Sequence, residues 1–225
     1  MELALTDETL TIAIIAIVVV VVMSIRFGYS LKKKKIHKEE NEGEAAVRRV
    51  LTNYCRKSTA HLLNNVTLNY KDGTTQIDHI LFTQNGILVI ETKHYSGWLF
   101  VNEKQKEWTQ VLYKIKHRFQ NPMLQNNMHV LAVRKILDFI PEEQIQGVVV
   151  FTGDAQFKTE MPIGVIQINQ LEAYADGIRF GSLTENKLQF CIGRIEYRRL
   201  EITGKTDVDH QRYLKEKFGV LDDYE

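Results

Sequence analysis

The chain has 225 residues, of which 44% are hydrophobic and 25% are charged, and its formal net charge is +1. This composition excludes an intrinsically disordered protein and a polytopic membrane protein. Because the net charge is close to zero, any affinity for nucleic acid must come from a local basic patch. The two cysteines, Cys55 and Cys191, exclude a cysteine-rich zinc site and argue against a disulfide framework.

The first feature in chain order is an apolar segment that predicts a transmembrane helix over residues 9–31. Residues 1–8 contain acidic side chains and no basic ones, which argues against a cleaved signal peptide. Four lysines begin the charged linker at residues 32–41, and basic segments stay on the cytoplasmic side of a membrane. We therefore expect a single-pass protein of the cell membrane with its N-terminus outside and its main domain in the cytoplasm. A buried core helix is the alternative interpretation of this segment.

After the linker, hydrophobic periodicity predicts helices that alternate with short apolar strands, which is typical of an α/β fold with a mixed sheet. Helices are predicted over residues 42–57, from the Asn121–Pro122 pair towards Pro141, and over residues 207–218. Strands are predicted at 66–70, 76–82, 87–93, 98–101, 147–151 and 165–168, with a hairpin near residues 188–202.

Three polar side chains interrupt the two central apolar strands: Asp78 on one, and Glu91 and Lys93 on the next. The Asn85–Gly86 pair predicts a hairpin between these strands. A two-residue turn would set Asp78 opposite Lys93, whereas a four-residue loop would set it opposite Glu91. Both registers put the three side chains on one face, because side chains alternate with a period of two.

Two neighbouring carboxylates repel each other unless a cation lies between them, and hard oxygen ligands favour Mg²⁺ or Mn²⁺. Such a metal stabilises charge on a phosphodiester and lowers the pKa of a bound water, which the ammonium of Lys93 would orient or deprotonate. The alternative is a structural ion pair between Lys93 and Glu91 or Asp78. His79 alternates to the opposite face and is excluded as a ligand.

The segments Gln76–Ile80, Asn85–Gly86 and Val89–Trp98 resemble the core motifs of the nuclease-related domain, a branch of the PD-(D/E)xK nucleases. Asn121–Asn126 resembles the helix motif that follows in this family, and Glu42–Glu44 resembles its opening helix. The chain departs from the pattern in one respect, since Ile77 stands where the name of the fold would place a proline. A proline supplies no ligand, so the departure leaves the ligand set intact.

The resemblance implies a restriction-endonuclease-like sheet flanked by helices, with the nuclease-related domain at residues 42–155 and a C-terminal extension of the same unit at 156–225. It implies that Asp78 and Glu91 hold the metal, that Glu44 approaches it directly or through water, and that Lys93 serves the water. Gln125 would support the site from the helix. The alternative roles are helix capping for Glu44, in a capping box with Asn41, and a plain exposed position for Gln125.

Several other side chains are candidates for contact with a substrate. His129 shares a helix face with Gln125, although a solvent-facing histidine is the favoured interpretation. Tyr95 and Trp98 could stack on bases, with core packing favoured for Trp98. A phosphate-binding rim is predicted from basic residues whose alternative is a solvated surface: Arg48, Arg49, Lys114, Lys116 and Arg118.

We therefore expect a membrane-anchored, metal-dependent nuclease that hydrolyses phosphodiester bonds of DNA or RNA at the cytoplasmic face. The alternative is a non-catalytic, membrane-tethered nucleic-acid-binding or adaptor module on the same fold. A third class is an envelope-associated interaction protein whose partner surface lies in residues 170–225.

Overall fold

The computed structural model describes residues 41–200. Within this part of the chain there are four α-helices: α1 (Glu42–Lys57), α2 (Pro122–Ile136), α3 (Leu171–Asp176) and α4 (Glu185–Arg198). The strands are β1 (His61–Tyr70), β2 (Gly73–Thr83), β3 (Gly86–His94), β4 (Trp98–Phe100), β5 (Glu107–Leu112), β6 (Ile115–Gln120), β7 (Ile145–Thr152), β8 (Gln156–Phe157) and β9 (Val165–Gln167).

A five-stranded sheet forms the centre of the fold, in the order β1-β2-β3-β7-β9. The first three strands are joined by tight turns and run antiparallel, whereas β3, β7 and β9 run parallel to one another. Between β3 and β7 the chain forms β4, β5 and β6 and then helix α2. Such a long crossover is needed because β3 and β7 are parallel. The predicted α/β fold with a mixed sheet is confirmed.

The β2–β3 hairpin decides between the two predicted registers. Thr83 pairs with Gly86, so Gln84 and Asn85 form the turn, and the pairing continues to His79 opposite Ile90. Gly86 has a φ of 145°, and a Cβ at this position would collide with the ring of Phe180. Only glycine fits such a backbone at low cost. The register that places Asp78 opposite Glu91 is the one that the structure adopts.

Helices cover both faces of the central sheet, which explains why β3 is apolar almost throughout. On one face, Val89 of β3 packs with Val130 and Val133 of α2. On the other face, Leu88 and Ile90 of β3 pack with the buried side of α1 and with α3. Successive residues of β3 thus enter different hydrophobic clusters, and the odd-numbered residues face α2.

A second sheet of four strands, in the order β6-β5-β4-β8, packs against β7 and its neighbours. Leu99, Trp108 and Phe119 point inward from this sheet and form a hydrophobic cluster with Val149 and Phe151 of β7. The predicted strand at residues 98–101 is confirmed as β4, whereas the β5–β6 hairpin was not predicted. Trp98, for which core packing was favoured, is 49% exposed on the outer side, so that prediction is wrong.

The hairpin predicted near residues 188–202 is also wrong, because helix α4 occupies residues Glu185–Arg198. Its buried residues Leu188, Cys191, Ile192 and Ile195 recur at helical spacing, and the hydroxyl of Thr184 caps the helix by accepting the N–H of Lys187. This periodicity outweighs the strand propensity of the isoleucines. The apolar side of α4 joins the hydrophobic cluster that contains Ile80 and Val89 of the central sheet.

None of the helices within residues 41–200 is long and apolar enough to span a membrane. The predicted transmembrane helix at residues 9–31 and the predicted helix at 207–218 lie outside the described residues. The predicted helix over 42–57 is confirmed at both ends, and the predicted helix after Asn121 is confirmed with its end at Ile136.

If α4 is part of the folded core, then Ile195→Ala lowers the free energy of unfolding by about 2–4 kcal/mol, because the side chain is fully buried against the central sheet. Urea denaturation of the full chain measures this change. Tyr197→Ala on the same helix is the matched control, since Tyr197 is 82% exposed and should change stability by less than about 0.5 kcal/mol. Equal stability of the two variants would contradict the packing of α4.

Candidate active site

The β2–β3 ladder opens beyond the His79–Ile90 pair, and two carboxylates lie where it opens. Asp78 is the next residue of β2, and its Oδ2 atom accepts the backbone N–H of Thr92 at 2.7 Å. Glu91, on the same face of the sheet as Asp78, is only 2% exposed. Here the side chain of Asp78 takes the place of a backbone carbonyl, so the carboxylate is fixed by the end of the ladder itself.

Glu91 is held by two nitrogen atoms, one at each carboxylate oxygen. Its Oε1 atom lies 3.0 Å from Nζ of Lys93, and its Oε2 atom lies 3.1 Å from Nε2 of His129. Burial favours the neutral form of Glu91, but Lys93 and His129 outweigh it and lower the pKa of this carboxyl to about 2. The side chain is therefore ionised at neutral pH although it is buried.

Gln125 reaches the same centre from α2, as predicted. Nζ of Lys93 donates a hydrogen bond to Oε1 of Gln125 at 3.2 Å, so the ammonium is held between Glu91 and an amide. Asn121 caps the start of α2 by accepting the N–H of Met123 at 2.9 Å. The alternative of a plain exposed position for Gln125 is wrong.

The helix that carries Gln125 is tied to the sheet by its neighbour, Asn126. The side-chain amide of Asn126 donates to the carbonyls of Val89, at 3.2 Å, and Val148, at 3.0 Å, which belong to adjacent strands. Gly147 lies directly beneath this contact, and a Cβ there would come within 2.8 Å of Nδ2 of Asn126. The missing side chain of Gly147 lets α2 approach the sheet closely enough for these bonds.

The sequence predicted His129 only as a candidate for substrate contact, but the structure places it inside the site. It is only 4% exposed, whereas a solvent-facing position was favoured. Besides its contact with Glu91, its Nδ1 atom lies 2.6 Å from the hydroxyl of Thr75 on β2. Its position one helical turn after Gln125 was the available signal, because residues four apart share a helix face.

Asp78 and Glu44 complete a group of three acidic side chains. Burial raises the pKa of Asp78 well above its ordinary value, and the negative charges of Glu91 and Glu44 raise it further. The N–H of Thr92 and the ammonium of Lys93 offset this only in part. Glu44 is 7% exposed in the first turn of α1, where Asn41 caps the helix by accepting the N–H of Gly43. Glu44 is therefore close enough to Asp78 to influence its ionisation.

The chemistry of these side chains fits a hard divalent cation. Burial, followed by the negative charges of Glu91 and Glu44, raises the pKa of Asp78, and a divalent ion beside it would favour the charged carboxylate. Mg²⁺ commonly binds to one or two protein carboxylates and takes its remaining ligands from water and substrate phosphate. Within residues 41–200, no three His, Cys, Asp or Glu side chains converge as a ready metal-ligand cluster. Asp78 and Glu91 fit as a pair of ligands, and Glu44 is near enough to influence the charge of Asp78.

The residues of the predicted basic rim lie on two different elements. Arg48 and Arg49 line a shallow cleft on the exposed side of α1, together with Arg56. Lys116 and Arg118 point outward from β6, and Lys114 lies in the turn before that strand. The rim is thus divided between α1 and the β5–β6 hairpin.

His79 on β2 and Tyr95 just after β3 both make contacts within the fold. His79 is buried on the face opposite to Asp78, as predicted, and its Nδ1 atom lies 2.8 Å from Oδ1 of Asn64. Tyr95 is half-buried and stacks on Phe119 with a ring separation of 4.5 Å. Tyr95 is thus already engaged in packing.

Comparison with known proteins identifies two similarities. The nuclease-related domain family matches residues 39–152, which contain all the side chains of the candidate site. An uncharacterised protein of Bacillus anthracis is 32% identical over 204 residues, an alignment that covers 84% of this chain and 91% of the relative. The match therefore extends well beyond the domain and covers nearly the whole relative.

Asp78→Asn should stabilise the metal-free protein at neutral pH, since it removes a buried charge yet keeps an oxygen for the N–H of Thr92. A gain of about 1 kcal/mol would raise Tm by about 2–4 °C.

Because the folded pKa of Asp78 is raised, the wild type loses stability as pH rises above 3.8, the ordinary value. The gain should therefore vanish below that pH. Thermal denaturation in EDTA across pH tests this, with the exposed Asp138→Asn as control; a lower Tm than wild type at neutral pH would contradict it.

His129→Phe should lower the free energy of unfolding by about 1–3 kcal/mol at neutral pH, because it leaves buried Glu91 and Thr75 without their shared partner. Chemical denaturation measures the loss. A cycle with Glu91→Gln isolates the coupling between the two side chains, since the cost of losing His129 should shrink once the carboxylate is neutral. Purely additive changes would indicate that the contact contributes no stability.

Proposed function

The chain belongs to the nuclease-related domain family, and from that premise we propose that it is a divalent-metal-dependent nuclease that hydrolyses phosphodiester bonds in DNA or RNA. The observation that carries the proposal is the buried Glu91 carboxylate, with the ammonium of Lys93 at 3.0 Å. Asp78, whose pKa is raised, lies on the same face of the sheet. A structural ion pair needs one carboxylate and one cation. The additional buried acidic groups are costly without a further positive ligand.

Mg²⁺ or Mn²⁺ would be held by Asp78 and Glu91, with Glu44 directly or through water, and would supply Lewis acidity and a water of lowered pKa. The protein groups have their own roles. Lys93, fixed by Glu91 and Gln125, would hold a proton or stabilise developing charge at the phosphate. His129 would keep the Glu91 carboxylate in one orientation.

The proposed fold assignment is the restriction-endonuclease-like PD-(D/E)xK class. It is supported by the mixed sheet, by the antiparallel hairpin that joins the two acidic strands, and by Glu91 and Lys93 separated by one residue on β3. Helix α1 brings Glu44 towards the same end of the sheet.

We also propose that the protein is anchored in the cell membrane by residues 9–31, with the nuclease-related domain at the cytoplasmic face. The support is in the sequence alone: residues 9–25 are uncharged and mostly apolar, and they are followed by Arg26 and Lys32–Lys35. Anchoring would bring the active site to nucleic acid that lies near the lipid bilayer.

A second function is favoured by one specific observation. Both oxygens of Glu91 already contact nitrogen atoms, and no ready metal-ligand cluster occurs within residues 41–200. This arrangement suits a non-catalytic nucleic-acid-binding or adaptor module, in which the polar network serves only to hold α2 on the sheet.

Nuclease assays on the full chain in non-ionic detergent separate the two functions. Labelled single- and double-stranded DNA and RNA are incubated with Mg²⁺ or Mn²⁺, and we expect cutting that EDTA abolishes. Lys93→Met should slow cutting by about 10²–10⁴-fold, as expected for loss of proton-transfer catalysis. Glu91→Gln should be at least as impaired, because it also removes a proposed metal ligand.

Glu143→Gln is the matched control, because this glutamate is exposed and distant in sequence from the motifs. It should cut like the wild type. Equal cutting by all variants would indicate a contaminating nuclease, and no cutting by the wild type on any substrate would favour the binding module.

A further inference from the structure

The second sheet has one buried face and one face without a covering element in the described part of the chain. Leu99, Trp108 and Phe119 are buried on the inner face. Trp98 and Phe100, the alternate residues of β4, are 49% and 40% exposed on the outer face. Contiguous apolar surface that is rimmed by polar residues marks interaction sites on proteins. We call the outer residues Trp98, Phe100, Lys116, Arg118 and Lys158 the open face.

Cations flank the two aromatic side chains on both sides. Beyond β8, Nζ of Lys158 lies 4.7 Å from the centre of the Trp98 ring and donates to Oε1 of Gln156 at 3.1 Å. On the other side, Val111 of β5 pairs with both Trp98 and Lys116. The aromatic strand thus runs between a lysine on one flank and the basic outer residues of β6 on the other.

Arg118 completes the second flank. It lies opposite Thr109, which also pairs with Phe100, and its guanidinium is 3.6 Å from the carboxylate of Glu107 on the same face. Both members of this ion pair are largely exposed, and exposed pairs contribute little stability. A polyanion can therefore compete with Glu107 for the guanidinium.

We propose that the open face binds single-stranded nucleic acid, with bases stacked on Trp98 and Phe100 and phosphates on Lys116, Arg118 and Lys158. Rings at alternate positions of a strand stand roughly 7 Å apart, a spacing that suits one base on each. A base on Trp98 would displace the ammonium of Lys158 from the ring towards a phosphate. Only unpaired bases expose a face for stacking, so the geometry disfavours a duplex. The inference rests on the proposed function in that it names the substrate class as single-stranded.

The position of the open face relates it to the candidate active site. Strand β4 follows the end of β3, the strand that carries Glu91 and Lys93, after a short connection. The inner face of the same sheet packs on β7, the strand that pairs with β3. A nucleic-acid strand bound on the open face would therefore be held by a sheet that packs directly on the strand next to the site.

The two tryptophans of the chain provide an internal probe, because Trp108 is fully buried while Trp98 is half exposed. The full chain in non-ionic detergent and EDTA is titrated with labelled oligo(dT), oligo(U) and a duplex of equal length. We expect binding of the single strands to quench tryptophan emission, and we expect Trp98→Ala to remove that quenching. Comparing oligo(dT) with oligo(U) distinguishes DNA from RNA as the ligand.

Fluorescence anisotropy then gives the affinities. Trp98→Ala and Phe100→Ala should each weaken single-strand binding by about ten- to a hundredfold, as loss of one stacked base does. Tyr197→Ala, which removes an exposed aromatic ring from α4, should bind like the wild type. Lys158→Gln should weaken binding and flatten its dependence on salt.

Wild-type affinity in both aromatic variants, unchanged emission on saturation, or preference for the duplex would overturn the inference. Self-association that is lost in the aromatic variants, with unaltered nucleic-acid binding, would assign the open face to a second copy of the chain instead. These outcomes are independent of catalysis. Single-strand binding through Trp98 without any cleavage would support the open face as a binding site and contradict the proposed nuclease activity. Cleavage by the wild type, together with unchanged single-strand affinity in the aromatic variants, would support the nuclease activity and contradict the proposed role of the open face.

Discussion

The ionisation of one buried carboxylate organises the centre of this fold. Glu91 is 2% exposed, and it stays charged because nitrogen atoms from β3 and α2 contact its two oxygens. An isolated charge at this depth would cost several kcal/mol, so the helix must stay close to the sheet for the charge to be tolerated. Lys93, Gln125 and His129 therefore help to join β3 to α2, as Asn126 also does. Of these, Lys93 is proposed to act at the phosphate, while Gln125 and His129 would hold Lys93 and Glu91 in place.

Much of this site follows from arithmetic on the sequence. Both candidate registers of the β2–β3 hairpin put Asp78, Glu91 and Lys93 on one face, so the prediction did not depend on the turn. The register itself could not be predicted, because the local sequence is compatible with both turns. In the structure Gly86 packs closely against Phe180, a residue distant in sequence. His129 is buried where α2 packs on the sheet. Its spacing from Gln125 indicated the shared helix face but not the burial.

Two errors have a common cause in the competition between local pattern and tertiary packing. The segment of α4 contains strand-forming residues, but four of its apolar side chains recur at helical spacing. As a helix, the segment packs these side chains against the central sheet. In the β5–β6 hairpin only Trp108, Gln110 and Phe119 are buried, so its apolar side chains do not form a continuous alternating pattern and gave a weak strand signal. Trp98 was misjudged with it, since the direction of a side chain on a three-residue strand depends on neighbours that were not predicted.

The glycine beneath Asn126 also sets a mechanical tolerance for the site. An alanine at position 147 would push against an amide that is bonded to two strands, and α2 would have to retreat or tilt by tenths of an ångström. Lys93 and Glu91 would remain in place on their strand while Gln125 and His129 moved with the helix. A single methyl group, remote from any reacting atom, would thus change the distances from Gln125 to Lys93 and from His129 to Glu91. The separation of α2 from the sheet therefore sets the geometry of the site.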